Sequence, residues 1–409
     1  MSLPGIVLGC VLALIAARQI GPVRVAPWQA MLAGAAVVLL GGSIGPGAAL
    51  RAIDARVMVF LFGTFVIGEA LLQSGYLYVL AYRASARLRS PNALLWAIVW
   101  AAGLGSCLLM NDSLAIVGTP LVLRLAREHE LEPEPMLLAL AFAVTTGSIM
   151  SPIGNPQNLL IAVHGTLGEP FVTFLRHLAL PTLLSLCLTG VGVRLCCRLA
   201  PHGRTLVPAR VELRDPQLAR LARAAVLLVV ALILVKIIMV IARAAWSPPL
   251  WAVAAAGAAP VLAFSPARGR LLRRLDWPTL VFFAAMFVLM QSVWQTGELQ
   301  RLLGISPLPV TSTAGILVAG ATVSQLISNV PMVALYLPLL QQAGAHEVSW
   351  LALAAGSTLA GNLTLLGAAS NIIVVQGAER LGVRLSFRRF ARVGIPLTVV
   401  QIVIFWWLL

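Results

Sequence analysis

The chain has 409 residues, of which 60% are hydrophobic and 11% charged, with 29 basic against 14 acidic residues and a formal net charge of +15. Soluble domains carry roughly 25% charged residues, so this composition excludes a soluble globular protein and points to a polytopic membrane protein. Apolar runs of membrane length also exclude nucleic-acid binding as the reason for the charge; 28 of the 29 basic residues are arginine and Lys236 is the single lysine.

A spanning helix needs about 20 largely apolar residues. In chain order, full spans are predicted near 3–17, 28–45, 57–73, 136–163, 177–197, 223–241, 249–265, 278–295, 350–376 and 393–409. The first is read as a span and not a signal peptide, because it has neither a basic n-region nor a small-residue cleavage site. Tyr76 to Arg89 reads as an interfacial amphipathic helix with Arg83, Arg87 and Arg89 on headgroups. Segments 92–127 and 311–341 are interrupted at their centres by Asn111-Asp112-Ser113 and by Ser328-Asn329. A continuous helix avoids such clusters at the bilayer centre, whereas a re-entrant hairpin can turn its tip into a wet cavity. Spans 136–163 and 350–376 are broken too, by Gly154-Asn155-Pro156-Gln157-Asn158 and by Gly361-Asn362 through Asn371. Proline removes an amide donor there and glycine permits unwinding.

The interruptions recur. Residues 51–75 align without gaps on 273–297 with 8 identities in 25, among them Asp54/Asp276 and Gly75/Gly297. Ser106, Asn111 and Pro120 match Ser324, Asn329 and Pro338 at an offset of 218; Gly154 and Asn158 match Gly367 and Asn371 at 213. The fold expected is therefore all-α, with a first repeat over 1–200, a cytoplasmic linker over 201–222 and a second repeat over 223–409. Each repeat holds five spans and one re-entrant hairpin. Five is odd, so the two halves enter the membrane from opposite sides, which is an inverted-topology repeat. Loops on one predicted side carry 21 arginines against 5 on the other. By the positive-inside rule this places both termini outside a bacterial inner membrane.

The two tips and two breaks are expected to meet near the midplane. Half-helix ends expose amides or carbonyls there, and small amide and hydroxyl side chains suit a hydrated ion or small polar solute. The residues expected to bind solute are Asn111, Ser113, Asn155, Asn158, Ser328, Asn329, Thr364, Ser370 and Asn371. Asp112, the only carboxylate at a predicted tip, is expected with Asn111, Gly154, Asn362 and Gly367 to hold a coupling ion, Na+ or H+. Glu69 is the second intramembrane acid of interest, and Lys236 is expected to snorkel to the interface. Cys10, Cys107, Cys187, Cys196 and Cys197 form no CxxC pair and join no histidine cluster, so no metal or other cofactor is expected. Cys196 and Cys197 are expected to face lipid. An intramembrane enzyme would need a nucleophile–base pair or metal ligands, and the spans offer none.

The stretches MNDSLAIVGTPLVL, GSIMSPIGNPQNLLI, SNVPMVALYLPLL and AGNLTLLGAASNIIV resemble the ion transporter superfamily. That group includes citrate and dicarboxylate carriers, arsenite-efflux membrane proteins and sodium/proton antiporters. The resemblance implies a scaffold that often dimerises, here a homodimer in the lipid bilayer, and a mobile body that carries the site across by an elevator movement. Dicarboxylate carriers of the superfamily have Ser-Asn-Thr at each tip. Here the tips read Asn111-Asp112-Ser113 and Ser328-Asn329-Val330, so neither is complete, and the Asn-Asp tip followed by an apolar run and Thr119-Pro120 looks more like the arsenite-efflux branch. The function expected is ion-coupled secondary transport of a small anion or oxyanion, arsenite or antimonite-like in efflux, or an organic anion. The alternative is a sodium/proton antiporter with Asp112 as its exchange site.

Overall fold

The structure is a computed structural model that describes residues 2–17, 19–20, 23–85, 88, 90–197, 213–244, 246–297, 312–365 and 367–409. Nineteen α-helices run through them. The first half contains α1 (Leu3–Ala17), α2 (Pro27–Leu40), α3 (Pro46–Ala52), α4 (Ala55–Ser74), α5 (Tyr76–Ser85), α6 (Pro91–Leu108), α7 (Asn111–Glu128), α8 (Pro133–Gly147), α9 (Pro156–His164) and α10 (Pro170–Cys196). The second contains α11 (Pro216–Ile241), α12 (Leu250–Phe264), α13 (Arg268–Arg274), α14 (Trp277–Gln295), α15 (Thr313–Ile327), α16 (Asn329–Gln342), α17 (Glu347–Leu363), α18 (Ala369–Arg380) and α19 (Phe387–Leu408). A 3₁₀ turn, Ser148–Met150, prolongs α8, and a two-residue antiparallel ladder joins Gln19–Ile20 to Val23–Arg24. Among the described residues seven helices are long and apolar enough to cross a membrane, and α1, α2, α12 and α15 add shorter apolar segments.

Sequence punctuation sets these boundaries. Prolines open α2, α6, α8, α9, α10 and α11 at positions where no amide donor is needed. Asp54 and Asp276, identical between the halves, do one job twice: each side chain accepts a backbone N–H at the start of a third span, α4 and α14. Gly75 and Gly297, also identical, both sit at positive φ just past those helices, at +75° and +67°, where glycine carries no steric cost. Asp215 likewise caps α11 at Leu218, so helix begins inside the expected linker, whose residues up to 212 lie outside the described ones. The helix expected at the interface ends at Ser85, and Arg87 and Arg89 also lie outside the described residues.

Packing crosses between halves. Helix α4 lies on α12 and α2 lies on α14, so each third span rests on the other half's second span. The first arm of each hairpin lies on a broken helix, α6 on α8 and α15 on α17. These approaches are backbone to backbone: a side chain at Gly147 would overlap the Gly103 carbonyl, and one at Gly356 would sit 2.7 Å from the Leu317 carbonyl. The second arms cross over, α7 to α18 and α16 to α9. As a result 89% of the window Pro133–Met150 is buried, against 17% for α11. The broken helices thus lie at the centre and α11 at the periphery. Leu227, Leu234, Val235, Ile238 and Ile241 of α11 are exposed, an apolar face that only lipid or another apolar surface covers well.

Two sequence expectations are corrected. Lys236 does not snorkel; it is 5% exposed, and its Nζ lies 2.9 Å from Glu169 and donates to Ser247 at 2.9 Å. The start of α10 supplies a carboxylate where bilayer length alone predicts none. Cys197 is buried in the core built by α6, α8, α10, α18 and α19, and Cys196 packs on that core, so neither simply faces lipid.

Candidate functional site

Each hairpin turns within one or two residues. Leu109 and Met110 join α6 to α7, and Ser328 alone joins α15 to α16. Ser328 has φ +73° and ψ 158°, a region that is nearly glycine-only and costs about 1–3 kcal/mol for other residues. Strain of this kind concentrates where a tight turn must present backbone to something. Asn111 and Asn329 open the second arms as buried residues, while Asp112 and Ser113 are half-buried. The Asn111 side-chain oxygen accepts from the Asp112 backbone N–H at 2.9 Å, and the Asn111 backbone N–H donates to the Gly154 carbonyl at 2.9 Å. The first tip therefore rests on the first break. Ser113 faces α4 at Gly68, beside a cavity of about 30 Å³ lined by Thr64, Met110, Val229 and Val253. Glu69, one residue along, accepts from Gln73 at 2.7 Å.

The two breaks share one internal frame. Asn158 Nδ2 donates to the carbonyls of Ser148, Ile149 and Ser151, at 3.0–3.2 Å. Asn371 Nδ2 donates to those of Gly361 and, at 3.4 Å, Thr364. Residues 148, 151 and 158 become 361, 364 and 371 at the offset of 213 seen in the sequence. In both breaks a buried carboxamide thus satisfies carbonyls that the ending half-helix leaves without partners. Gly154 and Gly367 are required sterically, since a side chain would fall on the carbonyls of Ser148 and Ala360 respectively.

The breaks differ in what they leave over. In the first, Asn155 Oδ1 caps α9 at the Asn158 amide (2.8 Å), and its Nδ2 donates to Ser148 (2.9 Å) and Thr358 (3.2 Å). Thr358 in turn donates to Asn158 Oδ1 at 3.5 Å. The carboxamides of Asn155 and Asn158 are therefore engaged by the protein itself. In the second break Ala368 stands at the cap position and supplies no such bond. Among the described residues Asn371 Oδ1, Ser370 Oγ, Asn362 Oδ1 and Asn329 Oδ1 are buried without a hydrogen-bond partner.

Two of these orientations are fixed by chemistry. Asn371 turns its NH₂ to two carbonyls, which can only accept. Gln401 Nε2 donates to the Ser185 carbonyl at 3.4 Å, so its Oε1 must accept from Asn362 Nδ2 at 2.9 Å. Asn362 also donates to Thr146, at 2.9 Å. The free atoms of Asn371 and Asn362 are therefore acceptors that lack a donor. An unpaired buried polar atom costs about 1–3 kcal/mol, and native structures rarely leave several together. Thr364, half-buried, donates to Gln325 Oε1 at 2.7 Å.

Sequence reasoning missed Thr146, Ser148, Gln157, Gln325, Thr358 and Gln401, which bind the two breaks to their surroundings. Gln401 carried a readable signal, an amide inside a final apolar span. Thr358 did not, because its importance comes from reaching across to the other half. Asp112 pairs with no basic side chain within 4 Å among the described residues.

Residues 11–359 match a protein family described as CitMHS, citrate transporter. A 46 kDa membrane protein of Mycobacterium leprae is 29% identical over 371 residues, 86% of this chain and 84% of its own. The silicon efflux transporter LSI3 of Oryza sativa is 28% identical over 440 residues, with 90% and 89% of the two chains covered. The crystal structure of the YdaH transporter of Alcanivorax borkumensis superposes with a TM-score of 0.60 at 16% identity, over 100% of this chain and 97% of that one.

Proposed function

The chain belongs to the CitMHS citrate transporter family and is a multi-pass membrane transporter, and from that premise we propose that it moves a small hydroxylated solute of the oxyanion or oxyacid class, arsenite-like, outward by ion-coupled elevator movement. The observation that carries this is the excess of buried acceptors at the second break and tip: Asn329, Asn362 and Asn371 oxygens and the Ser370 hydroxyl without donors. A solute bearing O–H groups supplies those donors. A fully ionised di- or tricarboxylate offers only further acceptors, and the tips, Asn-Asp-Ser and Ser-Asn-Val, both lack the complete Ser-Asn-Thr of the superfamily's dicarboxylate carriers. The rice relative's name, a silicon efflux transporter, adds weight to an oxygen-rich inorganic solute and to export.

In this scheme α6–α9 and α15–α18 carry the site, and α2, α4, α12 and α14, interlocked between halves, form the frame. The inverted repeat, both termini outside a bacterial inner membrane and a homodimeric scaffold are part of the proposal. One further observation favours a second reading. Asp112 is the only carboxylate at either tip, and the same acceptors suit a sodium ion, as a sodium/proton antiporter requires. Proteoliposomes with an imposed pH or sodium gradient test both. Flux of arsenite, antimonite or germanic acid in excess of citrate and succinate is expected. Citrate flux without arsenite flux overturns the solute class, and sodium–proton exchange with no solute present moves the assignment to the antiporter.

A further inference from the structure

We propose that Gln325 is a positioning residue for the solute: it clamps the second hairpin onto the second break and fixes the Thr364 hydroxyl as an acceptor. This rests on the transport function proposed above. Gln325 stands on α15, four residues before Asn329 at the tip. Its Nε2 donates to Ala321 within the same arm at 3.3 Å and to Ala360 of α17 at 2.5 Å. Both partners are carbonyls, so the amide has one possible orientation, and Oε1 must face the Thr364 hydroxyl. Ala360 is among the last four residues of α17, whose carbonyls the break leaves without helical partners. One side chain therefore closes an orphan carbonyl on the half-helix and takes up a hydroxyl in the break.

That second bond has a chemical consequence. A threonine hydroxyl has one proton and two lone pairs. With its proton given to Gln325, Thr364 can offer only lone pairs to anything else, which adds a fifth acceptor to those of Asn329, Asn362, Ser370 and Asn371. The break folds down over the clamp: a side chain at Gly367 would meet Gln325 Nε2 at 2.8 Å.

The other half lacks this device. Ser324 and Asn329 stand at Ser106 and Asn111 by the offset of 218, so Gln325 stands at Cys107; Thr364 stands at Ser151 by the offset of 213. A thiol has a single weak donor and cannot reproduce the two carbonyl bonds that the Gln325 carboxamide makes. The first tip is held by backbone instead, through the Asn111 amide and the Gly154 carbonyl. The glutamine clamp thus stands at the break and tip whose Asn329, Asn362, Ser370 and Asn371 oxygens lack partners.

Gln325→Met removes the hydrogen bonds while nearly keeping the volume. Amide hydrogen exchange in detergent is expected to rise about tenfold in the peptide 361–371, with 148–158 unchanged, since roughly that factor accompanies the loss of one or two net hydrogen bonds. Arsenite flux in proteoliposomes is expected to show an apparent KM raised about tenfold, with Vmax within about twofold. Gln325→Glu keeps an acceptor for Thr364 but loses the donor to the Ala360 carbonyl, so it is expected to recover that KM only in part, and Thr364→Val is expected to add little to Gln325→Met. Unchanged exchange in 361–371, or an equal rise in both breaks, overturns the clamp. Absence of arsenite flux in the wild type would defeat the proposed solute alone, and the exchange measurement would still decide the role of Gln325.

Discussion

Removing the carboxylate of Glu169 leaves the chain's one lysine buried without its countercharge. Lys236 has a side chain 6% exposed, 2.9 Å from Glu169, with Ser247 bonded to both. Breaking a fully buried pair by removing one partner costs about 3–5 kcal/mol, whereas exposed pairs are worth at most about 1 kcal/mol. The Glu169 side chain is 39% exposed, so water reaches one side of the pair, and Glu169→Ala is expected to cost an intermediate amount, about 1–3 kcal/mol. The reverse change behaves differently. Lys236→Met fills the same space with an apolar chain and leaves an acid that water can solvate, at a cost below about 1 kcal/mol. The double variant is expected to recover most of the loss of Glu169→Ala. Thermal unfolding in detergent, followed by tryptophan fluorescence, measures all three, and acylation of the single lysine by an amine reagent reports its burial directly. Equal destabilisation by Glu169→Ala and Lys236→Met, or additivity of the two, would refute the argument from a desolvated ammonium.

Ser328→Gly relieves the positive-φ turn and is expected to raise stability by about 1 kcal/mol, read as a higher unfolding temperature, while transport falls because the tip loses its fixed shape. Gly367→Ala places a methyl on the Ala360 carbonyl and is expected to destabilise by about 1–3 kcal/mol, read by the same melt. Asn158→Ala leaves carbonyls of Ser148, Ile149 and Ser151 without their donor, a loss of about 1–3 kcal/mol expected to lower the yield of monodisperse protein. Burial raises the Asp54 carboxyl, but its bonds to the Arg56 side chain and amide outweigh that and hold it below its usual range. The folded value is the lower one, so this contribution is full at neutral pH and declines as pH falls below about 4 toward the folded value. Asp54→Asn is expected to flatten that acid limb in melts recorded across pH.

Sequence alone determined the membrane class and the places where polar residues interrupt apolar runs. Hydropathy is a property of local runs, and a polar cluster in an apolar segment is legible without coordinates. The span predicted at 3–17 matches α1, and the hairpins predicted at 92–127 and 311–341 are helix pairs over 91–128 and 313–342. The identities Asp54/Asp276 and Gly75/Gly297 were equally legible, because helix caps are read within a few residues of chain. Which polar atoms remain free was not. Asn158 and Asn371 look equivalent in sequence, yet Thr358, 200 residues away, occupies the oxygen of one and nothing described occupies that of the other. Lys236 looked like a snorkelling residue until the start of α10 brought Glu169 beside it. Hydrogen-bond saturation and charge pairing depend on partners distant in the chain, so only the tertiary structure could separate the break that is closed by its own side chains from the one left with acceptors to fill.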